Sequence, residues 1–346
     1  MLAKRLLIGL GLCALAQTGF AEVKVVKERF FTTIDADSNV DSIAIWHSSE
    51  TSDRWLVATS KAMHKLFVYD AQNGYPLSEY GNAGDQLGQF QRPNGIAVIG
   101  DMLLVVERDN HRIQALSLPD LSPLFSFGEE QLIKPYGIYA RHEKNKVLVY
   151  VSDDYNNSAS NPKPEPNPDG LRKRVKVFEL STATSASEPK FVKAFGSHEG
   201  EGALDVVESL MGDDVFDRLM IADEDEVNGM EVHLFDLDGK DLGQTLGKGR
   251  FQYQPEGIAL WSTGEKSGYW IFTDQGKQEN LYLLYDRESL EYVGTFSGER
   301  TLNTDGVAID LTPTERYPEG VFYAIHDDSG ISAWSLADIA TALDLH

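Results

Sequence analysis

The stretch that decides the fold is Thr304-Asp305-Gly306-Val307-Ala308-Ile309, followed by Tyr323-Ala324-Ile325-His326-Asp327-Asp328. Each half contains a short apolar run that is typical of a β-strand. A carboxylate and a glycine open the first run, and two carboxylates close the second. The same pattern recurs along the chain: an acidic or polar residue, then Gly or Ser, then an apolar strand, then a second strand that closes on Asp or Glu.

Counting these repeats predicts the architecture. The other units begin at Ser42, Gly95, Gly137, Gly202 and Gly257. The steps between unit starts are roughly 40 to 65 residues, in the range of four-stranded propeller blades. We therefore predict an all-β fold, a six-bladed β-propeller, as one domain over residues 22–346.

The ends of the repeat array predict how the ring closes. The sixth unit has no outer strand after Trp334, whereas Val23 to Phe31 is a spare strand near the N-terminus. We predict that this strand completes the last blade, because closure removes an open sheet edge. The Pro-rich stretch Asn161 to Pro168 cannot donate into a strand ladder, and is predicted to be a surface loop of the third blade.

The first 21 residues have the pattern of a secretory signal peptide. A basic start at Lys4-Arg5 precedes an apolar run from Leu6 to about Ala16, and small residues flank Phe20 before Glu22. The apolar run is too short to span a bilayer, so a secreted or periplasmic protein is expected. The alternative is a buried N-terminal helix. The single cysteine, Cys13, lies in this leader, so no thiolate catalysis or cysteine metal site is expected after its removal.

The composition is strongly acidic, with a formal net charge of −23. Nucleic acids and anionic membranes need a basic surface, so neither is an expected partner. The carboxylate excess suits cation binding, with Ca²⁺ the natural candidate outside the cell. Solubility of an acidic secreted protein is the alternative explanation. We expect a monomer acting on a small molecule.

The propeller geometry predicts where the carboxylates meet. Residues just before the first strand and just after the second strand of each blade share one face. The first set is Asp41, Asn94, Tyr136, Glu201, Glu256 and Asp305. The second set includes Glu107, Arg108, Asp109, Asp153, Asp154, Asp223, Glu224, Asp225, Asp274, Asp327 and Asp328. Close carboxylate pairs repel by about 1 to 4 kcal/mol at surface dielectrics, and hard divalent cations relieve this repulsion. For any single Asp, a turn residue is the competing interpretation.

Basic residues on that face are few. Lys61 and Arg108 each follow the second strand of a blade. They are predicted to hold an anionic part of a substrate, and the alternative is an ion pair with a neighbouring acid.

The residues of the last two blades resemble those of β-propeller phytases. The resemblance is carried by Pro255-Glu256-Gly257-Ile258, Asp274-Gln275-Gly276, Thr304-Asp305-Gly306-Val307 and Trp334 to Ile339. Asp41 to Trp46 and Ile221 to Glu226 extend it into blades one and four. Blade two, with Pro93 to Ile96 and Asn110 to Ile113, also resembles an NHL repeat.

The resemblance implies a 3-phytase-type phosphoric monoester hydrolase. Members of that family are six-bladed and use several Ca²⁺ ions over the channel, where a Ca²⁺-bound water attacks a phosphate of phytate. By motif, the implied metal ligands are Asp41, Glu201, Asp223, Glu256 and Asp305. Glu201 and Asp305 are the implied catalytic residues, and Lys61, Arg108 and Tyr136 the implied substrate-binding residues.

Two departures from the family pattern leave other functions open. Ser42 stands where the family has a second carboxylate, and Asp154 falls near a family lysine. The alternatives are a non-catalytic, NHL-like extracytoplasmic binding propeller and a metal-dependent lactonase or esterase with one deeply held metal. A Ser/His/Asp triad lacks sequence support, because neither His111 nor His326 has a nearby serine motif.

Overall fold

The computed structural model describes residues 22–153, 172–181, 188–197, 203–226 and 229–345. The predicted signal peptide, the Pro-rich stretch, Asp154 and Glu201 lie outside these residues. No helix in the described ranges is long and apolar enough to cross a membrane.

The described chain forms six sheets, one per blade, and the strands of each blade pair antiparallel. Blade one comprises β3 (Val40–His47), β4 (Arg54–Ser60), β5 (Lys65–Asp70) and β6 (Pro76–Tyr80). Blade two comprises β7 (Pro93–Ile99), β8 (Met102–Glu107), β9 (Arg112–Ser117) and β10 (Pro123–Phe127). Blade three comprises β11 (Pro135–Glu143), β12 (Lys146–Asp153), β13 (Val175–Ser181) and β14 (Lys190–Phe195).

The second half of the chain repeats this plan. Blade four comprises β15 (Val207–Asp213), β16 (Arg218–Asp223), β17 (Glu231–Phe235) and β18 (Asp241–Leu246). Blade five comprises β19 (Gln254–Ser262), β20 (Gly268–Gln275), β21 (Leu281–Asp286) and β22 (Tyr292–Gly298). Blade six comprises β23 (Val307–Asp310), β24 (Val321–His326) and β25 (Gly330–Ser335), followed by α1 (Leu336–Ala342).

The N-terminal segment closes the ring, as predicted, but in two pieces. β2 (Phe30–Phe31) pairs antiparallel with β25 and is the outer strand of blade six. β1 (Lys24–Val26) instead adds to the outer edge of blade five, parallel to β22. The buried Trp334 indole donates to the Val26 carbonyl at 2.8 Å, and the Glu28 carboxylate accepts the Thr301 N–H at 2.9 Å. These bonds fix the segment across both blades.

The hydrophobic core lies between the blades. Buried apolar side chains form six clusters, and each cluster joins two neighbouring blades. The cluster that contains Ile43, Leu56, Tyr323 and Ile325, for example, joins blade one to blade six and so completes the circle. Each blade is covered on both faces, which explains why its central strands are apolar along their whole length.

The innermost strands surround a central channel with a cavity of about 330 Å³. Each of the first five inner strands carries a register irregularity at its beginning, as between Val40 and Ile43 in β3 and between Val207 and Leu210 in β15. A bulge at this point re-aims the extra side chain. The residue before the Gly or Ser of each blade therefore lies at one mouth of the channel.

One prediction about blade four was wrong. Its inner strand was expected to begin at Gly202, but Ala203 and Leu204 are not in a strand and β15 begins at Val207. Leu204 is apolar because it is fully buried in the core between blades three and four, and not because it belongs to a strand.

Candidate active site

The channel mouth carries one residue from the start of each inner strand. We call these six residues the mouth ring: Asp41, Asn94, Tyr136, Glu208, Glu256 and Asp305. Five of them are the first set predicted from sequence, and Glu208 occupies the blade-four position. Because the ring positions repeat from blade to blade, polar side chains far apart in sequence share one small space.

The blades approach each other closely at the ring, and glycine permits this. A Cβ on Gly137 would lie 2.1 Å from the Glu208 carbonyl oxygen, and one on Gly306 would lie 2.7 Å from that of Asp41. The Gly306 N–H also donates to the Asp41 carbonyl at 2.9 Å, which joins blade six to blade one. The predicted role of these glycines, close backbone approach at the channel wall, is confirmed.

Lys61, Asp41 and Tyr136 form a contact network across blades one to three. The Lys61 ammonium lies 2.7 Å from Asp41 Oδ1 and donates to the Tyr136 hydroxyl at 3.2 Å. The Tyr136 hydroxyl donates to Asp41 Oδ1 at 3.3 Å, and the Ser42 hydroxyl donates to Asp41 Oδ2 at 2.8 Å. Three residues predicted for the site are therefore brought together. Lys61 lies at the predicted position, and it also forms the ion pair that was the alternative interpretation of this residue.

A carboxylate group lies across the ring from this network. Glu208, Glu224 and Glu256 are all buried, and one oxygen from each lies within 4.8 Å of the others. Oxygens at this separation can coordinate a single hard cation. Glu256 was predicted as a metal ligand. Glu224 was predicted to lie on this face, but its neighbour Asp223 was predicted as the ligand instead.

The electrostatics of the ring reflect its crowding. Burial raises the pKa of Glu256 well above its usual range, and repulsion from Glu208, Asp305 and Asp41 adds to this shift. Burial likewise raises the pKa of Asp305. Burial opposes the charge of Lys61, but the attraction of Asp41, Asp305 and Glu208 outweighs it and raises the Lys61 pKa. The ring thus contains more carboxyl groups than the neighbouring Lys61 can neutralise.

Carboxylates at the ends of two second strands bind backbone N–H groups instead of joining the mouth ring. Asp153 accepts the Ile133 N–H at 3.0 Å, and Asp274 accepts the N–H groups of Gln252 and Tyr253 at 2.8 Å each. In both cases the carboxylate holds the loop that leads into the inner strand of its own blade. These two acids anchor loops and were over-interpreted as members of a converging set.

Asp223, a predicted metal ligand, occupies the same position in blade four. It accepts the backbone N–H groups of Asp205 at 2.6 Å, Val206 at 3.0 Å and Asp225 at 3.1 Å. Burial raises its pKa to about 7, although these three hydrogen bonds act in the opposite direction. Because side chains alternate along a strand, the next residue, Glu224, reaches the cluster with Glu208 and Glu256 instead.

Glu208 was missed by sequence reasoning, although a signal was present. Val207-Glu208-Ser209-Leu210 repeats the pattern of Val40-Asp41-Ser42-Ile43 in blade one. The unit start at Gly202 drew attention to Glu201 instead, which lies outside the described residues.

Arg108 directly follows β8 at the mouth end of blade two, as expected. Its Nε donates to Asp109 Oδ1 at 2.7 Å, and its side chain is 22% exposed. This pair leaves the terminal nitrogens of the guanidinium as further donors on the same face.

The residues fit a bound hard cation. Three buried carboxylates converge. Among the described residues, Asp305 Oδ2 has no hydrogen-bond partner, and neither side-chain polar atom of the buried Asn94 has one. Buried oxygen atoms without partners are costly, and a cation with oxygen ligands removes that cost. Glu208, Glu224 and Glu256 are the residues that would hold it, with Asp305 beside them.

Comparisons with known proteins agree with this geometry. The phytase family model matches residues 202–335, which span blades four to six. Together, the match and the six-bladed propeller fit a β-propeller phytase-like family. They support a phytase-like function and a phosphatase or hydrolase activity.

Solved structures show the fold alone. A structure titled "Crystal structure of BBS1N in complex with ARL6DN, soaked with mercury" is 11% identical, with a TM-score of 0.50, and the alignment covers 89% of this chain and 97% of that one. "Kuenenia stuttgartiensis Hydrazine Synthase" is 12% identical, with a TM-score of 0.48 and coverage of 88% and 77%. Among curated proteins, none matches this chain significantly.

Proposed function

We propose that this protein is an exported, Ca²⁺-dependent phosphomonoesterase that hydrolyses phytate or a related phosphate ester. The observation that carries the proposal is the convergence of Glu208, Glu224 and Glu256 opposite the buried Lys61. An acidic half suits cations and a cationic half suits phosphate, so the mouth is complementary to a phosphate ester that arrives with its metal ions.

The chemistry needs a water oxygen to bond to phosphorus while the ester P–O bond breaks and a proton passes to the leaving oxygen. Bound Ca²⁺ would neutralise the ester and favour deprotonation of water. Lys61 would bind the phosphoryl oxygens through its ammonium. Tyr136 would turn its hydroxyl proton from Asp41 to the same group, since burial raises its pKa and keeps it protonated.

Arg108 and Asp305 complete the proposed site. The terminal nitrogens of Arg108 would bind a neighbouring phosphate of the ester. Asp305 Oδ2 lies at the ring with no hydrogen-bond partner in the described part of the chain, and is available for a cation or a proton. The resemblance assigns catalysis to Asp305 together with Glu201.

The test is phosphate release from phytate and from p-nitrophenyl phosphate, with Ca²⁺ or with EGTA. We expect release only with Ca²⁺ and a loss of about 100-fold or more in kcat/KM for Glu208→Gln, comparable to removing one electrostatic stabiliser of a transition state. Glu279→Gln, an exposed acid after β20 on the same face, is the matched control. Ca²⁺-dependent stabilisation without turnover of any ester would favour the binding propeller instead. Export predicts a mature N-terminus at Glu22, readable by N-terminal sequencing.

A further inference from the structure

A second cavity, of about 890 Å³, lies between blades two and three, and no residue of the mouth ring lines it. One wall comes from β10 and the loop that follows it, and the other from β13 and β14. Met102, at the hairpin turn of blade two, and Val147, at that of blade three, line one end. Small-molecule sites in proteins have volumes of roughly 300 to 1,000 Å³, so a small organic molecule fits this space.

Four phenylalanine rings form a continuous row along this cavity. The ring centroids of Phe125 and Phe127 are 6.2 Å apart, and those of Phe127 and Phe178 are 5.3 Å apart. Phe191 continues the row at 5.6 Å from Phe178, so the row runs from blade two to the outer strand of blade three. Phe127 and Phe178 are buried, whereas Phe191 is 44% exposed at the end of the row. A wall of this kind favours a guest with an aromatic or apolar body.

The charged side chains at the opening of the cavity are acidic. Glu129 and Glu130 follow β10 and Glu188 precedes β14, and all three are exposed. Ser126 Oγ donates to Glu129 Oε1 at 2.6 Å, which orients this carboxylate. In the described part of the chain no lysine or arginine lines the cavity, and His142 is its one basic residue. A cation held over an aromatic ring and near a carboxylate is attracted by both.

The chain itself offers no cation in the segment that joins the two ends of one wall. Residues 182–187, which lie outside the described residues, contain only Thr, Ala and Ser. A phosphate ester is also a poor occupant, because it would meet three glutamates at the opening. These glutamates are exposed to water, so, unlike the buried cluster of the mouth ring, they need no metal ion to relieve their repulsion. The chemistry of this cavity is therefore distinct from that of the channel mouth.

We infer that this cavity binds a small organic cation with an aromatic or apolar body, such as an arylalkyl ammonium. The body lies along the phenylalanine row, and the ammonium faces the glutamates at the opening. Met102 contributes a flexible, polarisable thioether to the wall, and Gln131 contributes a neutral amide donor and acceptor. The inference goes beyond the proposed function and does not depend on it.

The test compares three probes that share one ring system and differ in charge. Binding of naphthylmethylammonium, naphthylmethanol and naphthoate to the full chain is measured by calorimetry, with excess Ca²⁺ to suppress ammonium binding at the mouth ring. We expect the cation to bind about tenfold more tightly than the neutral alcohol, and the anion to bind most weakly.

A substitution in the aromatic row locates the probe. Phe191→Ala should weaken binding of the cation and of the alcohol by about fivefold, because it removes one ring from the wall. Leu242→Ala is the matched control, since Leu242 lies on the outer strand of blade four and is 42% exposed. It should change neither affinity by more than about twofold. Both side chains are partly exposed, so both variants should fold.

A second pair of variants tests the charge at the opening. Glu129→Gln combined with Glu130→Gln should weaken binding of the cation by about threefold or more and change that of the alcohol by less than about twofold. Glu265→Gln combined with Glu288→Gln, two exposed acids of blade five, is the control for net charge. Absence of binding, equal affinities for cation and alcohol, cation binding that either test variant leaves unchanged, or an equal effect from either control would overturn the inference.

Discussion

The two ends of the propeller differ in how they accommodate buried carboxylates. At the end away from the mouth ring, Asp213 forms a two-bond pair with Arg287 at 2.7 and 2.8 Å, and Asp310 lies 3.1 Å from His47 and 3.4 Å from Arg54. At the mouth ring, Asp41 is paired with Lys61, but Glu208, Glu224 and Glu256 face one another.

The difference shows what each end is for. The fold can provide an arginine for a buried acid, since it does so for Asp213 and Asp310 between neighbouring blades. The crowded acids of the mouth ring are therefore not a limitation of the architecture. They are retained against their mutual repulsion, which is the expected signature of a ligand site rather than of a structural element.

The largest effect is expected at the paired end. Asp213→Ala leaves the guanidinium of Arg287 buried without its acid, and should lower the free energy of unfolding by about 3–5 kcal/mol. Urea denaturation measures it. The double variant Asp213→Leu with Arg287→Met should recover much of the loss, because no buried charge remains. A single variant as stable as the wild type would show that this end is not held by the pair.

Calcium binding at the mouth ring should raise the free energy of unfolding, whereas Asp213→Ala lowers it. At a Ca²⁺ concentration of about 100 times Kd, the free energy of unfolding should rise by about 2.7 kcal/mol. Denaturation with Ca²⁺, with Mg²⁺ and with EGTA measures the increment, and Asp213→Ala should retain it. A stability indifferent to Ca²⁺ would remove the basis for treating the acidic end as a cation site.

A single neutral substitution sharpens the comparison further. Glu256→Gln at pH 8 should stabilise the cation-free protein by about 1 kcal/mol, since it removes repulsion from Glu208 and Asp305. The same variant should lose most of the Ca²⁺ increment. Glu279→Gln should change stability by less than about 0.5 kcal/mol in either condition. Destabilisation of the cation-free protein by Glu256→Gln would contradict this account.

The smallest effect is a difference in acid response between two buried carboxylates. Burial raises the pKa of Asp274 to about 6 from its ordinary 3.8, so its contribution to stability is present below pH 3.8 and is lost as pH rises through 6. Burial would also raise the pKa of Asp310, but His47, Thr312 and Arg54 outweigh it and lower that pKa, so its contribution is present above 3.8 and lost as pH falls further.

Denaturation between pH 3 and pH 7 separates the two. The fall in stability from pH 4.5 to pH 7 should shrink by about 1 kcal/mol in Asp274→Asn, whereas Asp310→Asn should alter the profile only below about pH 4. Profiles changed in the same direction by both substitutions would refute the opposite signs.

The mouth ring could be predicted from the sequence because its residues recur at the same point of each repeat. Asp41, Tyr136, Glu256 and Asp305 each precede a glycine or serine and an apolar strand, so their positions followed from counting repeats. Lys61 followed from the same geometry. The propeller and its closure by an N-terminal strand were confirmed for the same reason, since a sixth blade with three strands needs a fourth.

What sequence could not give was the direction of side chains at strand ends. Asp223 and Glu224 are adjacent, and only the pairing of β16 decides that the first bonds to backbone and the second joins Glu208. Glu208 itself was missed because the residues around Gly202 match the pattern that opens the other units.

The closure of blade six has a consequence for how the molecule is made. The Ile331 N–H donates to Thr32 Oγ1, across 299 positions of chain. During synthesis, residues 22–32 must therefore wait until nearly all the rest has emerged before their partners exist. A circular permutant cut in the loop between β22 and β23 would build the sixth blade from contiguous chain, and its refolding rate would reveal how much of the folding time this delay occupies.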